Sequence, residues 1–144
     1  MRLAVTLLAL LGAGGFAAQP APASGAISWR TDEAGARAES ERTGRPLLVD
    51  AWADWCAACK LLERNTWADP RVQREIRAHF VPLRIDLSEE GPASEARIKT
   101  FGLVALPAVL VCSPRSCDAS TRRSVGYVNA AEMLDFLRRS QTNP

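Results

Sequence analysis

Apolar residues in this chain gather in short runs, separated by polar stretches rich in helix-forming residues. The run Leu47-Leu48-Val49-Asp50-Ala51 follows a Gly44-Arg45-Pro46 turn and reads as a buried strand, with one carboxylate set among its apolar positions. Ahead of it, Ile27-Ser28-Trp29 is a short candidate strand. Asp32 is placed to cap a helix that runs to Thr43 and stops at Gly44. Behind it, Lys60-Leu61-Leu62-Glu63-Arg64 is a segment of good helix formers. Asp69-Pro70 opens a further helix, with Asp69 as cap, Pro70 in the first turn, and Val72, Ile76 and Phe80 at helical spacing.

The second half repeats this alternation. Val81, Leu83, Ile85 and Leu87 alternate with polar or turn residues, which predicts a strand. Ser94 to Phe101 is a short helix ended by Gly102. Ala108 to Cys112 is an apolar strand, and Ser124 to Tyr127 is its expected antiparallel partner. Asn129 with Glu132 three residues on forms a capping box for a last helix carrying Met133, Leu134 and Leu137. The order βαβαβαββα is that of a layered α/β domain.

With 144 residues and 47% hydrophobic content, the chain suits one domain with a single core. A net charge of +2 is too small to argue for a nucleic-acid partner. Met1-Arg2 followed by the apolar Leu3–Leu11 has the form of a secretory signal peptide. Gly12, Gly14 and Gly15 interrupt that run, so it is short for a membrane span. Residues 1–18 are therefore expected to be a cleaved signal, with Ala23 as another cleavage position. Residues 19–26, rich in Pro, Ala and Ser, form a flexible lead-in, and 27–140 form the domain. The expected location is periplasmic or secreted; the alternative is an uncleaved N-terminal membrane anchor.

The candidate chemistry lies where the central strand meets the next helix, at Cys56-Ala57-Ala58-Cys59. On a first helical turn, unpaired N–H groups and the positive end of the helix dipole stabilise a thiolate. Cys56 is then a nucleophile near neutral pH, and Cys59 is near enough to close a disulfide with it. A metal site is disfavoured: Cys112-x4-Cys117 is a poor second half, and no suitably spaced histidine accompanies it. Asp50, six residues before Cys56 in an apolar strand, should have a raised pKa. In an exported chain, Cys112 and Cys117 read as a structural disulfide around a turn, with two free thiols or a second exchange-active pair as alternatives.

Val49-Asp50-Ala51-Trp52-Ala53-Asp54-Trp55-Cys56-Ala57-Ala58-Cys59-Lys60, with Glu63 and Thr66 to Gln73 beyond it, resembles the thioredoxin superfamily. Within it, the segment is most similar to the C-terminal thioredoxin-like domains of the DsbD thiol:disulfide interchange proteins. The resemblance runs from about Ile27 to Arg139. It implies a thioredoxin fold, a central mixed sheet with helices on both faces. It also implies thiol–disulfide exchange through Cys56 and Cys59 with no further cofactor, and a proton-transfer role for Asp50. Glu63 either assists or is a solvated helix residue. Leu106-Pro107 matches the cis-proline that faces the disulfide and pairs with substrate, and Trp55 is expected on the contact surface. The implied partners are proteins with disulfides and a membrane electron donor. Ala57-Ala58 offers no histidine to stabilise a thiolate, which favours a reductant. An oxidase or isomerase of exported proteins, or a non-catalytic partner- or copper-binding module, are the alternatives.

Overall fold

In a computed structural model of the chain, residues 25–118 and 121–141 are described. The proposed signal peptide, and the lead-in as far as residue 24, lie outside them. The elements are α1 (Glu33–Thr43), β1 (Leu47–Trp52), α2 (Ala57–Leu62), a π-helical turn (Glu63–Trp67), α3 (Pro70–His79), β2 (Val81–Asp86), α4 (Pro92–Phe101), β3 (Ala108–Cys112), β4 (Arg122–Val125) and α5 (Ala130–Gln141). The strands form one mixed sheet in the order β2-β1-β3-β4. β1 is parallel to β2 and antiparallel to β3, and β3 is antiparallel to β4.

Helices cover both faces of β1, which explains its near-continuous apolar run. Leu47, Val49 and Ala51 pack with Leu83, Leu110, Ala36 and Phe101 on the side of α1 and α4. Leu48 packs on the other side with Leu62, Val72, Ile76, Phe80, Val109, Met133 and Leu137, from the layer of α2, α3 and α5. Helices thus flank both faces.

The capping residues act as the sequence suggests. Asp32 accepts from the N–H groups of Ala34 and Gly35, and Asp69 accepts from that of Arg71. Asn129 Oδ1 accepts from Ala131 and Glu132, while Glu132 Oε2 accepts from the Asn129 N–H at 2.9 Å. Gly44 closes α1 at φ 70°, a left-handed conformation that an L side chain resists.

Four expectations are corrected. Ile27–Trp29 is not a strand; a single bridge joins Arg30 to Leu83. Ile27 is buried and Trp29 half-buried against the helical layer, and Asp32 then turns the chain into α1 within two residues of the bridge. β4 spans Arg122–Val125 rather than 124–127, because Gly126 at φ 87° bends the chain away. α4 starts at Pro92, which suits a first helical turn, rather than at Ser94. The helix after Cys56 does not run on as α-helix but widens into the π-turn Glu63–Trp67.

Candidate active site

β1 ends at Trp52, and a tight turn carries the chain to Cys56, whose N–H donates to the Ala53 carbonyl at 3.2 Å. The turn is tied to the end of β2. The Asp54 N–H donates to Ser88 Oγ at 2.9 Å, and that hydroxyl donates to Asp86 Oδ1 at 2.5 Å. Cys56 is the N-cap of α2, with extended backbone, and its Sγ accepts from the Cys59 N–H at 3.1 Å. A side chain at that position takes one of the unpaired donors of the first turn and sits at the positive end of the helix dipole. Cys56 and Cys59 form a disulfide with Cα atoms 5.3 Å apart.

Both cysteines are buried, with Ala53, and Trp52, Ala58 and Leu106 pack against them. Trp55 beside them is 65% exposed. The Leu106–Pro107 bond is cis. Pro107 is buried, and its carbonyl accepts from the Gly126 N–H at 2.8 Å. Thus Cys56, Cys59 and Leu106 come together in one cluster, and Trp55 stands next to it in solvent. Cys112 and Cys117 do not join them. They form a second disulfide at the far end of β3, inside the apolar layer of α1 and α4.

Asp50 lies on the α2 face of β1 and is 1% exposed. Its Oδ2 accepts from Arg84 Nε at 3.0 Å, and Arg84 Nη2 lies 2.8 Å from the same oxygen. Its Oδ1 is buried with no hydrogen-bond partner among the described residues. Burial pushes the Asp50 pKa from 3.8 up to about 6, opposed by the charge and hydrogen bonds of Arg84. The negative charge of Glu63 adds a smaller upward push, and Trp67 a still smaller downward one. Arg84 Nη2 also donates to Glu63 Oε2 at 2.7 Å, so one guanidinium joins the buried carboxyl to an exposed one. Its planar head lies 4.7 Å from the Trp29 ring and 5.2 Å from the Trp52 ring, held by cation–π attraction. Arg84, Glu63, Trp52 and Cys59 line a shared cleft of about 250 Å³, with Lys60 and Arg64 at its rim.

Arg84 and Trp29 are the residues that sequence reasoning missed. Alternation in β2 assigns Arg84 to the polar face of the strand and does not single it out. The parallel pairing with β1 sets Asp50 opposite Arg84, so this face is inside the molecule at that position. A buried carboxylate on one strand of a parallel pair and a lone arginine on the other was the available signal. Trp29 lay in a segment read as a strand. Its ring instead packs edge-on against Trp67, 5.4 Å between centroids.

Among the described residues no three His, Cys, Asp or Glu side chains come together as a metal-binding group, and no helix is long and apolar enough to cross a membrane. The thioredoxin-like family profile matches residues 28–114. The chain is similar to the thiol:disulfide interchange protein DsbD 1 of Pseudomonas aeruginosa, 37% identical over 107 residues, which is 74% of this chain and 18% of that protein. In structure it resembles the C-terminal domain of Neisseria meningitidis DsbD in the oxidised form, with a TM-score of 0.62 at 24% identity, covering 81% of this chain and all of that one. It also resembles a thioredoxin from Thermus thermophilus, with a TM-score of 0.66 at 23% identity over 78% of this chain and 87% of the other. The chain spans less than a fifth of the length of the curated relatives it matches; it belongs to the thioredoxin-like family.

Proposed function

We propose that the chain reduces disulfides of exported proteins, with Cys56 as the attacking thiolate and Cys59 as the resolving thiol. One observation supports this above the rest. Cys56 Sγ caps a helix N-terminus, while the residues between the cysteines, Ala57 and Ala58, bring no cation that would over-stabilise the reduced form.

The exchange has two steps. The Cys56 thiolate attacks one sulfur of the substrate disulfide, forming a mixed disulfide and releasing one substrate thiolate. Cys59 then loses its proton and attacks Cys56 Sγ, which releases the second substrate thiolate and closes Cys56–Cys59. Asp50 is the acceptor we assign for the Cys59 proton. With a pKa of about 6 it is mainly ionised at neutral pH yet able to hold a proton. Glu63, which shares Arg84 with Asp50 and is open to solvent, is the second acid we place beside this step.

Trp55, Leu106 and Pro107 form the proposed substrate-contact surface, and Cys112–Cys117 is proposed as a structural disulfide. Both the second disulfide and the apolar stretch Leu3–Leu11 support an extracytoplasmic location, with residues 1–18 as a removed signal. Each turnover leaves Cys56–Cys59 oxidised, so two electrons must return from a dithiol donor, which we place in the membrane.

The deciding measurement is the reduction potential of Cys56–Cys59, equilibrated with glutathione. A reductase sits near thioredoxin's value of about −270 mV, and a value near DsbA's, about −120 mV, would mean an oxidant instead. A Cys59→Ser variant should accumulate mixed disulfides with exported proteins in cells. If it traps none, proteins are not its substrates.

A further inference from the structure

Between α4 and β3 the chain runs through Leu103-Val104-Ala105-Leu106 into Pro107. The reductase reading sets the last two residues of this stretch, Leu106 and Pro107, against substrate. Val104 is 85% exposed and Ala105 is exposed, while Leu106 packs on the cysteine cluster. Leu103 and Leu106, both half-buried, also pack against the apolar layer of α1 and α4. The Leu103 N–H donates to the Ile98 carbonyl at 2.9 Å at its entry, and the Pro107 carbonyl accepts from Gly126 at its exit.

Among the described residues one side chain hydrogen-bonds the stretch Gly102–Pro107, and it is Arg123 of β4. Its Nη1 donates to the Gly102 carbonyl at 2.7 Å. Its Nη2 donates to the Asp118 carbonyl at 2.8 Å, and its Nε to the Thr121 carbonyl at 3.3 Å. A guanidinium with three backbone acceptors is a fork that fixes the spacing between the peptide groups it holds. Here it joins the left-handed end of α4, at Gly102, to the connection between β3 and β4.

That connection is itself anchored. Cys117 is buried in the apolar layer of α1 and α4, and its sulfur is bonded to Cys112 at the end of β3. The register pairs Leu110 with Arg123 and Ala108 with Val125, so Arg123 stands on the same sheet face as Leu110, Cys112 and Cys117. The entry of the exposed segment is thus held by a chain of contacts that starts at a covalent bond. From there it runs through the Asp118 and Thr121 carbonyls to Arg123, and on to Gly102.

We propose that Arg123, backed by the Cys112–Cys117 disulfide, is a positioning residue that sets the segment Leu103–Leu106 for protein substrates. This rests on the reductase reading. Arg123 touches neither the reacting sulfurs nor the substrate. It fixes where Leu106 and its backbone groups stand before the substrate arrives, so that binding does not have to order them.

The test compares the full chain with its Arg123→Ala, Arg123→Lys and Cys112→Ala/Cys117→Ala variants, using insulin as the protein disulfide and dithiothreitol as the donor. Arg123→Ala should raise KM for insulin roughly tenfold, the effect falling on KM rather than kcat, because only substrate-side ordering is lost. Arg123→Lys, a point charge that reaches one carbonyl instead of three, should recover part of it. The double cysteine variant should move KM in the same direction. Amide hydrogen exchange at Leu103–Leu106 should quicken in all three.

An unchanged KM in folded Arg123→Ala overturns the proposal. So does a loss confined to kcat. If Arg123→Ala does not fold, exchange at Leu103–Leu106 in Arg123→Lys decides, and rates equal to those of the parent chain overturn it. Should the parent chain itself fail to reduce insulin, the reductase reading fails, while the exchange comparison still tests the brace.

Discussion

Replacing Asp50 with asparagine should make the protein more stable at neutral pH, although it removes an ion pair. Asp50 is 1% exposed, and its pKa rises from 3.8 to about 6, chiefly through burial. The folded protein therefore holds this proton more tightly than the unfolded chain does. Between pH 3.8 and about 6 the folded state binds more protons, so stability falls as pH rises through that window. Below it the carboxyl is neutral in both states and costs nothing. Above it the cost is complete, about 3 kcal/mol at 1.36 kcal/mol per pH unit.

Asparagine keeps the shape without the charge, so Asp50→Asn should gain up to about 3 kcal/mol at pH 7 and almost nothing at pH 3.5. Some of that gain is offset, because Arg84 is left with Glu63 alone. The assay is urea unfolding of both proteins at pH 3.5, 5 and 7 with both disulfides closed. Two other acids bend the wild-type curve the opposite way. Asp69 is held down to about 2 by its hydrogen bond from the Arg71 side chain, and Asp86 is lowered by the one from Ser88. Both are present in the two proteins and cancel in the difference. A variant less stable than wild type at pH 7 would refute the reasoning. So would a difference that does not change between pH 3.5 and 7. In the first case the pair with Arg84 would outweigh the cost of burial, and in the second the two would balance.

Arg84→Gln should push the Asp50 pKa above about 6, because it removes the cation that pulls it down; the lower pH midpoint of insulin reduction should move upward, and a midpoint that stays or falls would separate Arg84 from the proton path. Trp29→Ala removes one face of the indole pair around Arg84 and the edge contact with Trp67, and should cost roughly 2–3 kcal/mol in urea unfolding, most of it restored by Trp29→Phe. Cys112→Ala/Cys117→Ala should cost about 2 kcal/mol, the small value expected when a disulfide closes so short a loop; a loss well beyond that would point to packing around Cys117 rather than chain entropy.

How far the site was legible follows from what each part depends on. The cysteines, the start of their helix and the buried acid are set by local sequence, as are the caps at Asp32, Asp69 and Asn129, and all of them stand where the sequence put them. The features that escaped depend on contacts distant in the chain. Arg84 looks like a solvent-facing residue of an alternating strand until the strand is laid beside β1, where its partner is Asp50, 34 residues away. No residue in Glu63–Trp67 marks a π-turn by itself. The turn is accompanied by a tertiary contact, in which buried Thr66 donates to the Val128 carbonyl at 2.6 Å, and Trp67 is buried beside it.

The same distinction governs what can be changed without losing the chemistry. On the proposed function, the Cys56 thiolate is supported by its own helix, so substitutions elsewhere should leave its nucleophilicity in place. The proton side is different. Asp50, Arg84, Glu63, Trp29 and Trp52 come from four separate stretches of chain, and the raised pKa of Asp50 is a balance between burial and one guanidinium. Substitutions that loosen the Trp29 segment should therefore reach the resolving step at Cys59 before they reach the attack by Cys56. In a reaction of two sequential exchanges, that appears as mixed disulfide accumulating in the parent cysteine background, the behaviour otherwise expected only of Cys59→Ser. Trp29→Ala is the variant in which to look for it, by acid-quenched trapping during insulin reduction at pH 6 and 8. Accumulation at pH 6 that disappears at pH 8 would tie the N-terminal segment to proton transfer; none at either pH would confine Trp29 to stability.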